Sequence, residues 1–212
     1  MPQLTPDEIY AESFRIIDRE VGPHGFGDRQ WTVVRRMIHA SGDLELARSV
    51  VFTHEALEAG VRALVERAPI VTDVTMVAAG INKAGLASLH VPLHCFINEP
   101  HVHEEAGRRQ LTRSYCAMEQ ACRDFAEGIF VVGNAPTALM AVCEAIRTGA
   151  AHPRLVVAMP VGFVSVVESK QEALELDVPV IAVPGRKGGS PLAAAAINAL
   201  VQLALEERDR GP

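Results

Sequence analysis

Aromatic side chains are scarce in this chain. They make up 5% of its 212 residues, with one Trp and two Tyr. A module that binds nucleic acid by stacking bases needs exposed rings, so that class is disfavoured. A positive field is missing too. Twenty Lys and Arg against 26 Asp and Glu leave a net charge of −6, which draws in no polyanion. No nucleic-acid partner is expected. Cysteine is limited to Cys95, Cys116, Cys122 and Cys143, with no CxxC pair. A chain of this length needs no disulfide staples, so the four read as reduced thiols of a cytoplasmic protein. No run approaches the ~18 uncharged apolar residues of a membrane span. The opening MPQLTPDEIYAES is acidic and lacks the apolar centre of a signal peptide. No membrane partner is expected. Several motifs are absent: GxGxxG after an early strand, GxxxxGK[ST], GxSxG and HExxH. Their absence leaves no signature for dinucleotide binding, a P-loop, a nucleophile elbow or a zinc protease.

What is present suffices for a sizeable core. Apolar residues make up 49% and charged residues 22%, which fits one domain over residues 1–212. Thr5, Pro6 and Glu8 announce a first helix to about Val21. Asp28 is a candidate cap for a second helix that ends near Ser41, with Gly42 as its stop. A third helix is expected from about Thr53 to Ala68. Then short β-branched runs at 69–74, 91–97, 128–133, 154–159 and 179–184 alternate with helical segments near 74–82, 105–126, 136–149, 163–175 and 189–206. The pattern predicts an α/β fold: an open, mainly parallel sheet of about five strands, helices on both faces, and an N-terminal helical segment. The charged tail EERDRGP reads as a frayed end. In such folds ligands bind beyond the carboxyl ends of the strands. Those ends carry turns rich in glycine: VVGNAPTAL from Val131, PVGFV from Pro160 and GRKGGS from Gly185. Helix N-termini and close-approaching backbone there suit an anionic small molecule.

His39 falls at the C-terminus of the second helix. The helix dipole favours a protonated imidazole there, whereas Arg35 and Arg36 oppose it, so His39 is a candidate proton donor. A histidine that caps carbonyls fits the same position. Arg113 follows the candidate cap Thr112. A cation in a first helical turn is unfavourable by itself, which suits a ligand carboxylate, although a solvated surface arginine fits as well. Arg186 and Lys187 in the turn before the last helix make an anion pocket. Asn134 lies at a strand end, and Lys83 reads equally as a solvated helix end. Ser13 carries no signal of its own. His90, His94, His101 and His103, with Cys95, offer metal-ligand types. Pro92 breaks the helical spacing of HVPLH, and in a strand His90 and His94 stand ~13 Å apart. No metal site is expected.

In combination and in order, VRRMIHASGD, TDVTMVAAGI, LTRSYCAMEQA, VVGNAPTAL, MPVGFVSVVESK and GRKGGSPLAAAAINAL resemble the precorrin-8X and cobalt-precorrin-8 methylmutases. The resemblance covers essentially the whole chain. It implies a homodimeric α/β enzyme of cobalamin biosynthesis that moves a methyl group from C-11 to C-12 of a tetrapyrrole without a dissociable cofactor. It places the catalytic histidine at His39, which protonates a ring nitrogen and eases a [1,5]-sigmatropic shift. It places substrate contacts at Arg113 and Ser13; Arg36, Lys83, Asn134, Arg186 and Lys187 complete the expected substrate-binding set. Hand-over of product to the next pathway enzyme is a further implied partnership. The histidine-rich HVPLHCFINEPHVHEE departs from the family pattern. Two rivals remain at this point: a corrinoid carrier without turnover, and a metal-inserting tetrapyrrole enzyme using His90, His94, His101 and His103.

Overall fold

The first helix forms as its residues dictate. In the computed structural model, which describes residues 5–210, Thr5 caps α1 (Pro6–Val21). The Glu8 amide donates to its hydroxyl at 3.3 Å, and the Thr5 amide donates back to the Glu8 carboxylate at 2.8 Å. Helix α2 (Asp28–Ser41) is capped by Gly27 rather than Asp28, which is instead its first helical residue. There its carboxylate still faces the positive end of the dipole. Gly42 ends α2 in the left-handed conformation, φ 69°, and donates to Ile38 O at 2.7 Å.

The helix expected from Thr53 to Ala68 is α4 (Ala56–Val65), and two unexpected elements precede it, α3 (Leu46–Ser49) and β1 (Val51–Thr53). The β-branched residues around Phe52 take a sheet edge, and His54 and Glu55 turn the chain with φ of 47° and 54°. The remaining order is β2 (Ile70–Thr72), α5 (Thr75–Gly80), α6 (Lys83–Leu89), β3 (Leu93–His94), α7 (Pro100–Arg109), α8 (Arg113–Asp124), β4 (Ile129–Val132), α9 (Pro136–Arg147), β5 (Leu155–Ala158), α10 (Val166–Leu174), β6 (Val180–Ala182) and α11 (Ser190–Arg210). Three further expectations change. The helix expected at 105–126 is split, because Gln110 turns left-handed at φ 54° and Thr112 caps a new start through its bond from the Tyr115 amide at 3.2 Å. The strand expected at 91–97 is two residues long, and His90 is not in it; it ends α6 with φ 57°. The tail is helical through Arg210, while Gly211 and Pro212 lie outside the described residues.

The sheet order is β1-β6-β5-β4-β2-β3. The open, mainly parallel sheet is as expected; among the described residues it has six strands against about five expected, since the added β1 pairs antiparallel with β6, and the other pairings are parallel. Alternate strand residues feed two separate cores. Ile129, Val131, Leu155, Val157 and Ile181 meet α2, α4 and α11 on one face. Phe130, Val132, Val156 and Ala158 meet α8 and α9 on the other. The sheet is built outward from β2, with β3 on one side and β4 on the other. The carboxyl ends of β2 and β4 therefore flank the topological switch point, where doubly wound folds bind ligands.

Here the chain fills that crevice itself. Asp73, fully buried after β2, accepts hydrogen bonds from the amides of Gly133 at 3.0 Å and of Asn134 and Ala135 at 2.8 Å each. Burial pushes its carboxyl up from the ordinary aspartate value, and the three amides pull the other way. Asp73→Ala leaves these donors buried without an acceptor and should cost about 3 kcal/mol or more of unfolding free energy in urea. Asp73→Asn retains an acceptor oxygen and should cost distinctly less. A loss below about 1 kcal/mol for the alanine variant would mean that the amides find other partners.

Candidate functional site

The C-terminal turn of α2 carries His39 to the surface, beside the first half of α11. A cleft of about 310 Å³ lies between them. Tyr10, Arg36 and His39 form one wall, and Gly80, Ala194 and Asn198 form the other. The edge of the His39 ring meets Tyr10 at 5.2 Å and Phe14 at 5.5 Å between centroids. Those rings hold their place because α1 is clamped to α2 by Asp18, which accepts from Trp31 Nε1 and from Arg35, both at 2.8 Å. Arg35 also lies 4.3 Å from the Phe14 ring centroid. Arg36 donates to the Tyr10 hydroxyl at 2.7 Å, a neutral partner that leaves its charge uncompensated.

The opposite wall depends on small residues. A Cβ on Gly80 would stand 2.8 Å from the Ala194 methyl, so α5 and α11 approach as closely as glycine permits. Asn198 uses both ends of its amide there: Oδ1 accepts from the Asn82 amide at 2.7 Å, and Nδ2 donates to Gly80 O at 2.9 Å. It thereby pins the bend between α5 and α6. Sequence reading missed Tyr10, Phe14 and Asn198. The aromatic pair at i, i+4 in α1 was a usable signal, whereas a lone Asn in an alanine-rich helix was not.

The other expected site residues are spread around the carboxyl edge, and the structure divides them by charge balance. Lys187 is engaged by Asp43 at 2.7 Å and Glu45 at 2.5 Å. It ties the turn after α2 to the turn before α11 instead of offering a free cation. The Asn134 amide is taken by Asp73, so the turn after β4 is not an empty anion cradle. Ser13 donates to Ile9 O within its own helix at 2.8 Å. Lys83 bonds the carbonyls of Ala78 and, at 3.2 Å, Ile81. Arg113 is exposed in the first turn of α8, 2.9 Å from His103 Nε2. Thr112 meets Thr137 at 2.7 Å, which sets Arg113 beside the start of α9. Arg186 stands 5.6 Å over the Phe163 ring. Among the described residues, Arg36, Lys83, Arg113 and Arg186 take part in no ion pair.

The histidine-rich segment does not assemble. His90 ends α6, His94 stacks on Phe125 at 4.4 Å, His101 bonds Gln120 at 2.5 Å, and His103 faces Arg113. Among the described residues, no group of three or more His, Cys, Asp or Glu comes together to hold a metal ion. A larger cleft of about 620 Å³ lies between α7 and α8, but both of its arginines are paired with carboxylates. Arg108 pairs with Glu105 at 2.7 Å, and Arg123 with Glu119 at 3.2 Å. The smaller cleft holds His39, the expected proton donor, and an arginine without a carboxylate partner, so it is the candidate site.

One buried cation supports the rim. Lys170 is 1% exposed, and its Nζ donates to Gly185 O at 3.0 Å and Lys187 O at 2.5 Å. Burial pushes the ammonium down from 10.5 to about 8. Between those values the unfolded chain binds a proton that the folded chain does not, so this group makes stability rise with pH across that window. Relative to Lys170→Met, the wild type should gain unfolding free energy between about pH 8 and 10.5, measured by denaturant titration. A difference independent of pH would refute the assignment.

Known proteins match this chain along its length. The family model for precorrin-8X methylmutase matches residues 8–203. A cobalt-precorrin-8 methylmutase of Priestia megaterium is 44% identical over 95% of this chain and 89% of its own length. A precorrin-8X methylmutase of Sinorhizobium sp. is 37% identical over 92% of this chain and 93% of its own. The crystal structure of precorrin-8X methylmutase from Thermus thermophilus superposes with a TM-score of 0.87 at 43% identity, covering 94% of this chain and 98% of that one. With sequence, family model and fold agreeing over nearly all of its residues, the chain belongs to the precorrin-8X methylmutase family.

Proposed function

We propose that this protein is an isomerase of cobalamin biosynthesis that moves the C-11 methyl group of precorrin-8X or cobalt-precorrin-8 to C-12, with His39 as proton donor to the ring. The observation that carries the reading is the placement of His39: exposed at a helix end, packed against the adjacent rings of Tyr10 and Phe14, beside an arginine without a carboxylate partner. An intramolecular shift needs no leaving group and no second substrate. The bond from the methyl to C-11 breaks as its bond to C-12 forms, so atoms and oxidation state balance. His39 lends a proton to a ring nitrogen, drawing electron density from the migrating centre, and recovers it as the new conjugation settles. General acid catalysis of this kind contributes ~10²–10⁴-fold. The remainder comes from holding the macrocycle in its reactive tautomer.

The substrate is an apolar ring fringed with carboxylates. Arg36 stands next to the proton donor, and Lys83, Arg113 and Arg186 offer further positive charge around the carboxyl edge, each without a carboxylate partner. The exposed Asn134 side chain remains available to the ring, whereas Lys187 acts indirectly by tying two loops together, and Ser13 bonds a carbonyl of its own helix. The family resemblance supports a homodimer, one domain spanning the chain, and hand-over of the product to the next enzyme. No helix among the described residues is long and apolar enough to cross a membrane, which accords with the cytoplasmic placement we propose.

Purified protein should change the visible spectrum of precorrin-8X or of cobalt-precorrin-8 as conjugation extends, over many turnovers. Folded protein that alters neither substrate would overturn the proposal, and conversion limited to one equivalent would favour a carrier. His39→Ala should lower turnover by ~10²-fold or more, with product affinity within about threefold of wild type. Retained turnover would remove His39 from the acid role.

A further inference from the structure

We propose that the apolar loop at residues 161–164 receives one face of the tetrapyrrole, with Arg186 at its edge pairing with a ring carboxylate. The inference rests on the methylmutase reading and names a contact surface for its substrate. Phe163 is 84% exposed and Val164 81%, consecutive large apolar residues in a turn where solvent favours polar ones. Val161 is 44% exposed beside them. The patch adjoins the His39 cleft. Val161 Cγ1 lies 4.0 Å from the Cβ position of Gly189, the Pro191 ring lies 3.6 Å from that same position, and Pro191 lines the cleft. The cleft by itself, at about 310 Å³, falls at the low end of the ~300–1,000 Å³ typical for drug-sized ligands. A carboxylate-fringed macrocycle seated over His39 therefore extends past the rim, and the neighbouring surface is this loop.

The loop is presented rigidly. The Gly162 amide bonds Arg186 O at 3.4 Å, linking it to the turn before α11. That turn is fixed from beneath by Lys170, and Gly188 is wedged so tightly against the carbonyls of Met159 and Pro160 that no Cβ fits. Ser165, at φ 57°, closes the loop in the left-handed region. Charge supplies the second half of the match. Arg186 lies over the Phe163 ring with no carboxylate partner among the described residues. An apolar platform bordered by an unpaired cation complements a ring that is apolar on its faces and anionic at its edge.

The test uses purified wild type, Phe163→Ala, Phe163→Trp and Arg186→Met, with hydrogenobyrinate, the product of the methyl shift on precorrin-8X, titrated by absorbance and mass measured by sedimentation. Phe163→Ala should weaken product binding by about 10-fold at unchanged mass, while Phe163→Trp stays within about threefold of wild type. Arg186→Met should weaken it with a reduced salt dependence. Affinity of the alanine variant within about twofold of wild type would overturn the platform. So would a loss of affinity that accompanies a halved mass, which would assign the loop to a second copy of the chain. Wild type that converts neither precorrin-8X nor its cobalt form would instead remove the methylmutase reading and the platform with it; normal wild-type turnover with an unaffected alanine variant removes the platform alone.

Discussion

A buried carboxylate holds the carboxyl edge of this sheet together. Asp73 leaves β2 and accepts three amides of the turn that leads from β4 into α9. Doubly wound folds commonly leave that crevice open to a ligand anion. Here the fold supplies the anion itself, and two consequences follow. The strands on either side of the switch point are locked in register at their functional ends. With those amides taken, the cleft that carries His39 opens instead on the face where α2, α5 and α11 meet. A ring enzyme gains from this arrangement: a broad macrocycle needs a stable rim more than it needs one deep phosphate-like hole.

Charge is sorted along the same edge. Lys187 draws Asp43 and Glu45 across from the turn after α2, so the His39 segment and the last glycine-rich turn are joined by ion pairs. Surface pairs of this kind are worth only ~0–1 kcal/mol each, so their value is geometric: they fix the distance between two loops. Lys170 fixes the same turn from within. Of the expected site cations, Arg36, Lys83, Arg113 and Arg186 take part in no ion pair among the described residues. A net negative protein that binds a polyanionic ring must present free positive charge at its site, and Arg36 does so beside His39.

Much of this was legible in the sequence because it rests on local rules. The Thr5 and Thr112 caps, the Gly42 stop and the apolar strands β4, β5 and β6 each follow from a few neighbouring residues. Strand β1 was not legible, since Val51, Phe52 and Thr53 become a strand only by pairing with β6, some 130 positions away. The helix break at Gln110 was hidden because a left-handed non-glycine residue has no strong local signature. At the site, His39 and Arg36 could be placed from sequence, since both lie on one well-patterned helix. The partners of Lys187 and Asn134 could not: sequence shows a cation and a polar strand end, but not the carboxylates that reach them from Asp43, Glu45 and Asp73. Counting cations in glycine-rich turns therefore overstates the free positive charge.

The proposed methyl shift asks for only one histidine. A shift within a single molecule requires a proton at one place and a substrate that cannot roll. Precision of this kind comes from groups on rigid elements whose rotamers are locked by packing. His39 has that support. Gly42 terminates its helix cleanly, Asp18 binds α1 to α2 through Trp31 and Arg35, and the rings of Tyr10 and Phe14 close on the imidazole edge. The facing wall is equally constrained, with Gly80 pressed on Ala194 and Asn198 spending its whole amide on the bend beside it. Besides His39, the walls carry the Tyr10 hydroxyl, held by Arg36, and no carboxylate or thiol, so in the reading proposed above a bound ring would meet its proton donor between two stiff surfaces.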